Sequence, residues 1–127
     1  MKKFMTIMFI LIIGILFAAN VHFSSEVGPI TTTASYATST DTEIATMVYG
    51  KNFILIENTG SESMYISAWG YAYNGSSYYE EFLTDKSIAA SGDYTIALAN
   101  TVYSKIIIRQ KSNSGSTTSY ISYNQIP

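Results

Sequence analysis

From Ile44 onward the chain alternates between apolar and polar residues with a period of two, and turn-forming residues interrupt the alternation every eight to twelve residues. Successive side chains of a β-strand point to opposite faces, so this pattern is typical of strands with one buried face. Isoleucine, threonine and tyrosine are frequent, and no stretch has the period of a helix. We therefore predict a small antiparallel β-sandwich of six or seven strands, immunoglobulin-like or jelly-roll-like, with a small β-barrel as the alternative.

The absence of cysteine constrains how such a sandwich is held together. A chain of 127 residues is one domain at most, and without cysteine no disulfide stabilises it. Apolar and aromatic packing must therefore suffice. The side chains predicted to form the core are Tyr65, Trp69, Phe82, Ile96, Leu98, Ile106 and Ile108.

The N-terminus predicts export. Lys2 and Lys3 precede an apolar run from Met5 to Ala19, which is the order found in secretory signal peptides. A retained membrane anchor is the alternative, although the apolar run is shorter than the ~20 residues that span a bilayer. We expect a secreted or extracellular protein of a bacterium.

The signal peptidase site is predicted from small residues in the segment that follows. Cleavage after Ala37, with Ser35 three positions before the cut, is the first choice, and cleavage after Ala34 is the second. The predicted organisation is therefore a signal peptide over 1–37, a flexible leader over 38–43 and the β-domain over 44–127. The segment 24–42 is rich in Thr and Ser, and we expect it to be disordered.

Several chemistries are excluded by composition. The part after position 37 contains neither His nor Cys, which excludes the usual catalytic triads, zinc sites and thiol nucleophiles. Glu80 and Glu81 are adjacent, so in a strand they point to opposite faces and cannot act on one bond. We predict a non-enzymatic protein with no cofactor and no metal. Because this part has five basic and eight acidic side chains, we also expect no nucleic-acid partner.

The stretch SAWGYAYNGSSYYEEF, residues 67–82, holds six of the eighteen aromatic side chains. Tyr65, Trp69, Tyr71 and Tyr73 share one face of the predicted strand, while Met64, Ile66, Ala68, Gly70 and Ala72 share the other. Leaving six rings in water would forgo on the order of 20 kcal/mol of burial. We therefore predict that the aromatic side of this strand is mostly core.

The turn after this strand decides which later residues join the rings. Asn74-Gly75 is a strong hairpin signal. A loop of two or four residues there places Tyr78 and Phe82 beside the rings and Tyr79 on the opposite face. A loop with an odd number of residues would reverse this assignment.

Tyrosines near that turn are the candidate binding residues. Tyr71, Tyr73, Tyr78 and Tyr79 combine flat apolar rings with hydroxyl groups, which suits contact with a glycan, a peptide, a lipid surface or a second copy of the chain. We therefore predict a binding module at or near the bacterial cell surface.

Two other functions remain open. In KIIIRQK, Lys105, Arg109 and Lys111 share one strand face, which we interpret as solvated. A self-assembling structural subunit, with KIIIRQK or SYISY paired between chains, is one alternative. A toxin-like protein that inserts tyrosines at a membrane interface is the other.

Overall fold

Eight β-strands account for most of the residues described by the computed structural model, namely 23–46, 48–72 and 79–127. Residues 1–22, Met47 and residues 73–78, which include Tyr73 and Tyr78, lie outside the described residues. The strands are β1 Phe23–Thr33, β2 Thr42–Ala45, β3 Lys51–Asn58, β4 Met64–Ala72, β5 Tyr79–Ile88, β6 Asp93–Ala99, β7 Tyr103–Ser112 and β8 Ser116–Ile126. A single 3-10 turn, Thr38–Thr40, precedes β2.

The strands form two four-stranded sheets, sheet A in the order β1-β8-β3-β6 and sheet B in the order β2-β7-β4-β5. All the pairs are antiparallel. The predicted sandwich is confirmed, and this strand order is that of an eight-stranded jelly roll. KIIIRQK lies in β7 and SYISY in β8, and each of these strands is paired on both sides, so the predicted pairing of these segments between chains is wrong.

The core lies between the sheets and consists mainly of isoleucine. Its buried members are Ile44, Ile54, Ile56, Met64, Ile66, Ala68, Ile88, Ile96, Ile106, Ile108 and Ile121. The predicted core residues Ile96, Ile106 and Ile108 are among them, while Phe82 and Leu98 are partly buried and pack against this cluster. β-Branched side chains pack well on a pleated sheet, which explains why isoleucine fills this layer.

The aromatic side chains of β4 were predicted to face the core, and the structure places them on the opposite side. Met64, Ile66 and Ala68 are fully buried at 0% exposure, so the opposite side, with Tyr65 and Trp69, faces outward and is partly buried. Gly70 also faces the interior, where a Cβ atom would lie 2.5 Å from the Tyr103 ring. The predicted central core positions of Tyr65 and Trp69 are therefore wrong, because small and aliphatic residues of β4 already occupy the interior.

The register of the β4–β5 hairpin explains a second correction. Tyr71 lies opposite Tyr79, and Trp69 lies opposite Glu81. The residues between the first pair are 72–78, an odd number, so the case that reverses the predicted faces is the one that occurs. Tyr79 therefore joins Tyr71 on the outer face, and Phe82 turns inward.

The segment predicted to be disordered is part of the fold. β1 pairs with β8 over Phe23–Thr33, with one irregularity between Val27 and Ile30. Thr32, Thr40 and Thr42 are buried, at 0%, 5% and 6% exposure. The hydroxyl of Thr32 donates to the carbonyl of Thr117, and the hydroxyl of Thr40 donates to the carbonyl of Gln110. These buried hydroxyl groups therefore have hydrogen-bond partners inside the protein.

The pairing of β1 with β8 affects the predicted signal peptidase site, which stays a prediction. A cut after Ala34 or Ala37 would remove β1 and leave β8 with an unpaired edge. In the ranges 23–46, 48–72 and 79–127, no helix is long and apolar enough to cross a membrane.

A buried polar cluster closes the interior at the Asn58 end of the sandwich. Asn58 is 1% exposed, and its amide donates to the carbonyls of Glu62 at 2.7 Å and Ala89 at 3.1 Å. Its Oδ1 accepts from the backbone of Gly60 at 3.1 Å and the hydroxyl of Thr117 at 2.8 Å. One side chain therefore ties two turns, β3–β4 and β5–β6, to β8.

We predict that a chain beginning at residue 38 is much less stable than one beginning at residue 23. The shorter chain lacks β1, so the apolar and hydrogen-bonding edge of β8 is exposed. Thermal melts followed by circular dichroism compare the two. Equal melting temperatures would contradict a structural role for β1.

Asn58→Ala should lower the free energy of unfolding by about 3 kcal/mol, because buried partners lose their hydrogen bonds. Urea denaturation measures the change. Asn113→Ala, at an exposed position, is the matched control and should change stability by less than about 0.5 kcal/mol. A loss below about 1 kcal/mol for Asn58→Ala would show that the cluster is dispensable.

Candidate functional site

The outer face of sheet B carries aromatic side chains on two neighbouring strands. Tyr65, Trp69 and Tyr71 of β4 point outward, and Tyr79 of β5 lies opposite Tyr71. We call these four residues the aromatic face. The rings of Tyr71 and Tyr79 are 5.6 Å apart between centroids and tilted by 33°. Tyr79 is 57% exposed, while the other three are partly buried.

Strand β7 places cations beside these rings. The three cation–π contacts are Lys105 over Tyr71 at 5.1 Å, Arg109 over Trp69 at 5.3 Å and Lys111 over Tyr65 at 5.4 Å. In each contact the charged end of the side chain lies over the ring, where the electrons of the ring face attract it. The predicted solvated face of KIIIRQK is therefore the partner of the aromatic face.

A carboxylate accompanies each of these cations. The three ion pairs are Arg109–Asp41 at 2.6 Å, Lys105–Glu43 at 3.2 Å and Lys111–Asp85 at 3.7 Å. Arg109 is the strongest case, since its Nε and Nη2 donate to both oxygens of Asp41 at 2.6 and 2.8 Å. These hydrogen bonds hold the pKa of Arg109 above its ordinary value.

A groove of about 300 Å³ runs across this face. Its lining combines three rings, one aliphatic side chain and the bidentate ion pair. The lining residues are Asp41, Trp69, Tyr71, Tyr79, Ile107 and Arg109. Trp69 and Ile107 are cross-strand neighbours, so they lie side by side between the tyrosines and the ion pair. The groove therefore offers flat apolar surface next to fixed hydrogen-bonding groups.

Beyond the groove, Tyr36 extends the same surface from the segment before the 3-10 turn. Its hydroxyl donates to Asp85 at 2.5 Å and lies 3.2 Å from the hydroxyl of Ser67, while the Lys111 ammonium is 4.4 Å from its ring centre. Burial and, after it, the hydrogen bond to Asp85 raise the pKa of Tyr36 to about 12.

Of the predicted binding residues, the structure brings Tyr71 and Tyr79 together. Tyr73 and Tyr78 lie outside the described residues. Four groove residues were not predicted as binding residues: Asp41, Ile107 and Arg109, together with Trp69, which was predicted as core. The shared parity of Lys105 and Arg109 is the signal that could have found Arg109, had the pairing of β7 with β4 been known.

Asp41 and Glu80 each accept hydrogen bonds from neighbouring side chains. Both oxygens of Asp41 are engaged by Arg109, and Glu80 accepts a hydrogen bond from the Tyr103 hydroxyl at 2.9 Å. No group of three or more His, Cys, Asp or Glu side chains suited to a metal ion occurs among the residues with described positions.

Comparison with known proteins finds similarity in fold to solved structures, at 8–15% sequence identity for the three described below. No protein-family model and no curated protein sequence matches the chain. The crystal structure of PirA matches 83% of this chain and 94% of its own, with 15% identity and a TM-score of 0.46. Tripeptidyl peptidase 2 matches 84% of this chain but 10% of its own, with 9% identity and a TM-score of 0.57. A chain from the Bacillus endospore appendages, which are disulfide-linked pili, matches 84% of this chain and 88% of its own, with 8% identity and a TM-score of 0.42.

We predict that Tyr36→Phe makes the protein less stable at pH 8 and that this deficit shrinks above pH 10. The phenol of Tyr36 has an ordinary pKa of 10.0 and a folded pKa of about 12. Its stabilising contribution is therefore present below pH 10 and is lost as the pH rises through 12.

Urea midpoints measured from pH 8 to 12 test this. Tyr49→Phe is the control, because Tyr49 is 71% exposed, and its curve should parallel that of the wild type. A deficit for Tyr36→Phe that stays constant with pH would contradict the prediction.

Proposed function

We propose that this protein is a secreted, non-enzymatic binding module of the bacterial cell surface and that its groove on sheet B binds a neutral glycan. The observation that carries the proposal is the groove itself, where Trp69, Tyr71 and Tyr79 lie beside the Arg109–Asp41 pair. The apolar segment Met5–Ala19 after Lys2 and Lys3 supports export.

The rings suit the apolar faces of sugar residues. Tyr71 and Tyr79 have centroids 5.6 Å apart, and Trp69 lies two positions along the same strand from Tyr71, about 7 Å away. Together they offer a run of flat surface longer than one ring. A pyranose presents a patch of C–H groups of similar size, and an aromatic ring binds such a patch with little loss of conformational entropy.

The ion pair supports a hydroxyl-bearing ligand. A sugar hydroxyl both donates and accepts, so it can hydrogen-bond to Asp41 and Arg109 without separating them. An anionic ligand would instead have to displace a carboxylate from Arg109, Lys105 or Lys111, each of which is already paired. A neutral glycan therefore fits this face better than an acidic peptide or nucleic acid.

The same charges argue against the toxin-like alternative. Cationic ends lie 5.1 to 5.4 Å from the centres of the rings of Tyr71, Trp69 and Tyr65. Inserting these rings into lipid would carry the adjacent ion pairs toward a medium of low dielectric constant, which is unfavourable.

Trp69 is the sole tryptophan, so its fluorescence reports directly on the groove. We predict that cello- or chito-oligosaccharides, which are neutral, change this emission and that Tyr79→Ala weakens the binding about tenfold, equivalent to about 1.4 kcal/mol. Tyr79 is 57% exposed, so the variant should keep the fold, which circular dichroism verifies.

Tyr49→Ala is the matched control, because Tyr49 is exposed but does not line the groove. Its affinity should equal that of the wild type. The proposal fails if none of these glycans binds, or if Tyr79→Ala and Tyr49→Ala bind equally well.

A further inference from the structure

Besides the groove, the edges of the two sheets are surfaces that could bind a partner, because an edge strand has backbone hydrogen-bonding groups that its own sheet does not use. Within the ranges 23–46, 48–72 and 79–127, the edges are β1 and β6 in sheet A and β2 and β5 in sheet B. An unprotected edge pairs readily with another strand, so natural proteins shorten, charge or distort their edge strands.

Three of the four edges carry such protection. β2 has four residues. The pairing of β5 with β4 is irregular around Ala68, and β5 carries the charges of Glu80, Glu81, Asp85 and Lys86. β1 is interrupted between Val27 and Ile30, where Pro29 lies.

β6 lacks all three devices. It is seven residues long, and it pairs with β3 without interruption from Asp93 to Ala99. Its one charged residue, Asp93, is the first of the strand, and the rest reads YTIALA. Lys86 of β5 faces this region, with its ammonium 5.0 Å from the centre of the Tyr94 ring.

The hydrogen bonds at the two ends of β6 identify which groups point away from β3. The backbone N–H of Asn58 donates to the carbonyl of Gly92 at 2.9 Å, and the backbone N–H of Asn100 donates to that of Gly50 at 3.0 Å. Bonded pairs alternate along an antiparallel ladder, so the even-numbered residues of β6 bond to β3. The backbone groups of Thr95, Ala97 and Ala99 therefore point to the open edge.

We propose that β6 pairs antiparallel with β6 of a second copy, about a two-fold axis at Ala97. Thr95, Ala97 and Ala99 of one copy then face Ala99, Ala97 and Thr95 of the other and form about six backbone hydrogen bonds. These side chains are small and exposed, so they do not block the approach.

Charges on the outer face of sheet A favour a second copy in this orientation. Lys51 lies beside Ala99 at one end of the β3–β6 ladder, and Glu57 lies beside Asp93 at the other. An antiparallel two-fold places the basic end of each copy against the acidic end of the other. Lys86 does not oppose its counterpart, since Tyr94 is three residues, or about 10 Å, from the axis.

Phe53 supports the same arrangement. Its strand neighbour on β6 is Ala97, and it is 39% exposed beside an apolar groove of about 220 Å³ that also includes Leu55 and Thr95. At the two-fold axis the row across the sheets becomes Phe53, Ala97, Ala97 and Phe53. The two rings can then cover the small alanine pair between them.

Because the chain has no cysteine, a single introduced thiol tests this geometry in protein expressed from the full-length sequence. In Ala97→Cys the two thiols meet at the axis, with Cα atoms about 5.5 Å apart, and oxidation or a short bismaleimide should give a covalent dimer. Ala99→Cys is the matched control, because its two copies would lie roughly 14 Å apart and should not cross-link efficiently.

Sedimentation velocity from micromolar to millimolar concentration provides the second readout. The wild type should form a dimer and nothing larger, since two-fold pairing uses up both β6 edges. Ala97→Lys should raise the dissociation constant at least tenfold, whereas Ala90→Lys, at an exposed turn position, should not. Lys51→Glu should weaken the dimer, and adding Asp93→Lys should restore it.

A monomer at millimolar concentration would overturn the proposal, as would a dimer that Ala97→Lys leaves intact. Fibres or equal cross-linking of Ala97→Cys and Ala99→Cys would also overturn it, because either result requires a different contact. None of these variants touches the groove on sheet B, so the outcome is independent of glycan binding.

Discussion

Isoleucine side chains fill the space between the two sheets, and the character of the outer surface follows from this filling. Nine of the eleven buried apolar residues are isoleucine. On β4 the inward positions hold Met64, Ile66, Ala68 and Gly70, and the ring of Tyr103 occupies the space beside the glycine. Since a strand has two faces, the remaining large residues of β4 are all placed outside, where they lie next to one another.

The outward rings of sheet B are partly buried although no further sheet in the described part of the chain packs on them. Sequence reasoning set the loss for six exposed rings on the order of 20 kcal/mol, which assumed that an outward ring is a bare ring. On sheet B the charged ends of Lys105, Arg109 and Lys111 lie over the rings of the aromatic face and are also paired with carboxylates. Long cationic side chains therefore act as a thin cover, which leaves Tyr79 and the groove as the open part.

The sequence was sufficient for the fold class and for the sets of residues that share a face of β4, because both depend on a period of two. It did not determine which set of β4 residues faces the core, because a period of two assigns residues to two faces without showing which face is buried. The face of Tyr79 depended on whether the hairpin loop is odd or even, which Asn74-Gly75 alone did not decide. β1 was missed because composition favours disorder for Thr- and Ser-rich segments, whereas here buried threonine hydroxyls find backbone carbonyls.

The jelly-roll order explains why the groove could not be found from local sequence. Adjacent strands β2, β7, β4 and β5 of sheet B bring together side chains as far apart in the chain as Asp41 and Arg109. Asp41 follows a 3-10 turn that includes Thr40. The buried hydroxyl of Thr40 donates a hydrogen bond to the carbonyl of Gln110, the residue after Arg109. The same stretch that was predicted to be a flexible leader therefore fixes the polar end of the groove. Since Thr40 bonds to β7 itself, the carboxylate is held in place beside the guanidinium, and the polar end of the groove depends on the contact of this segment with β7.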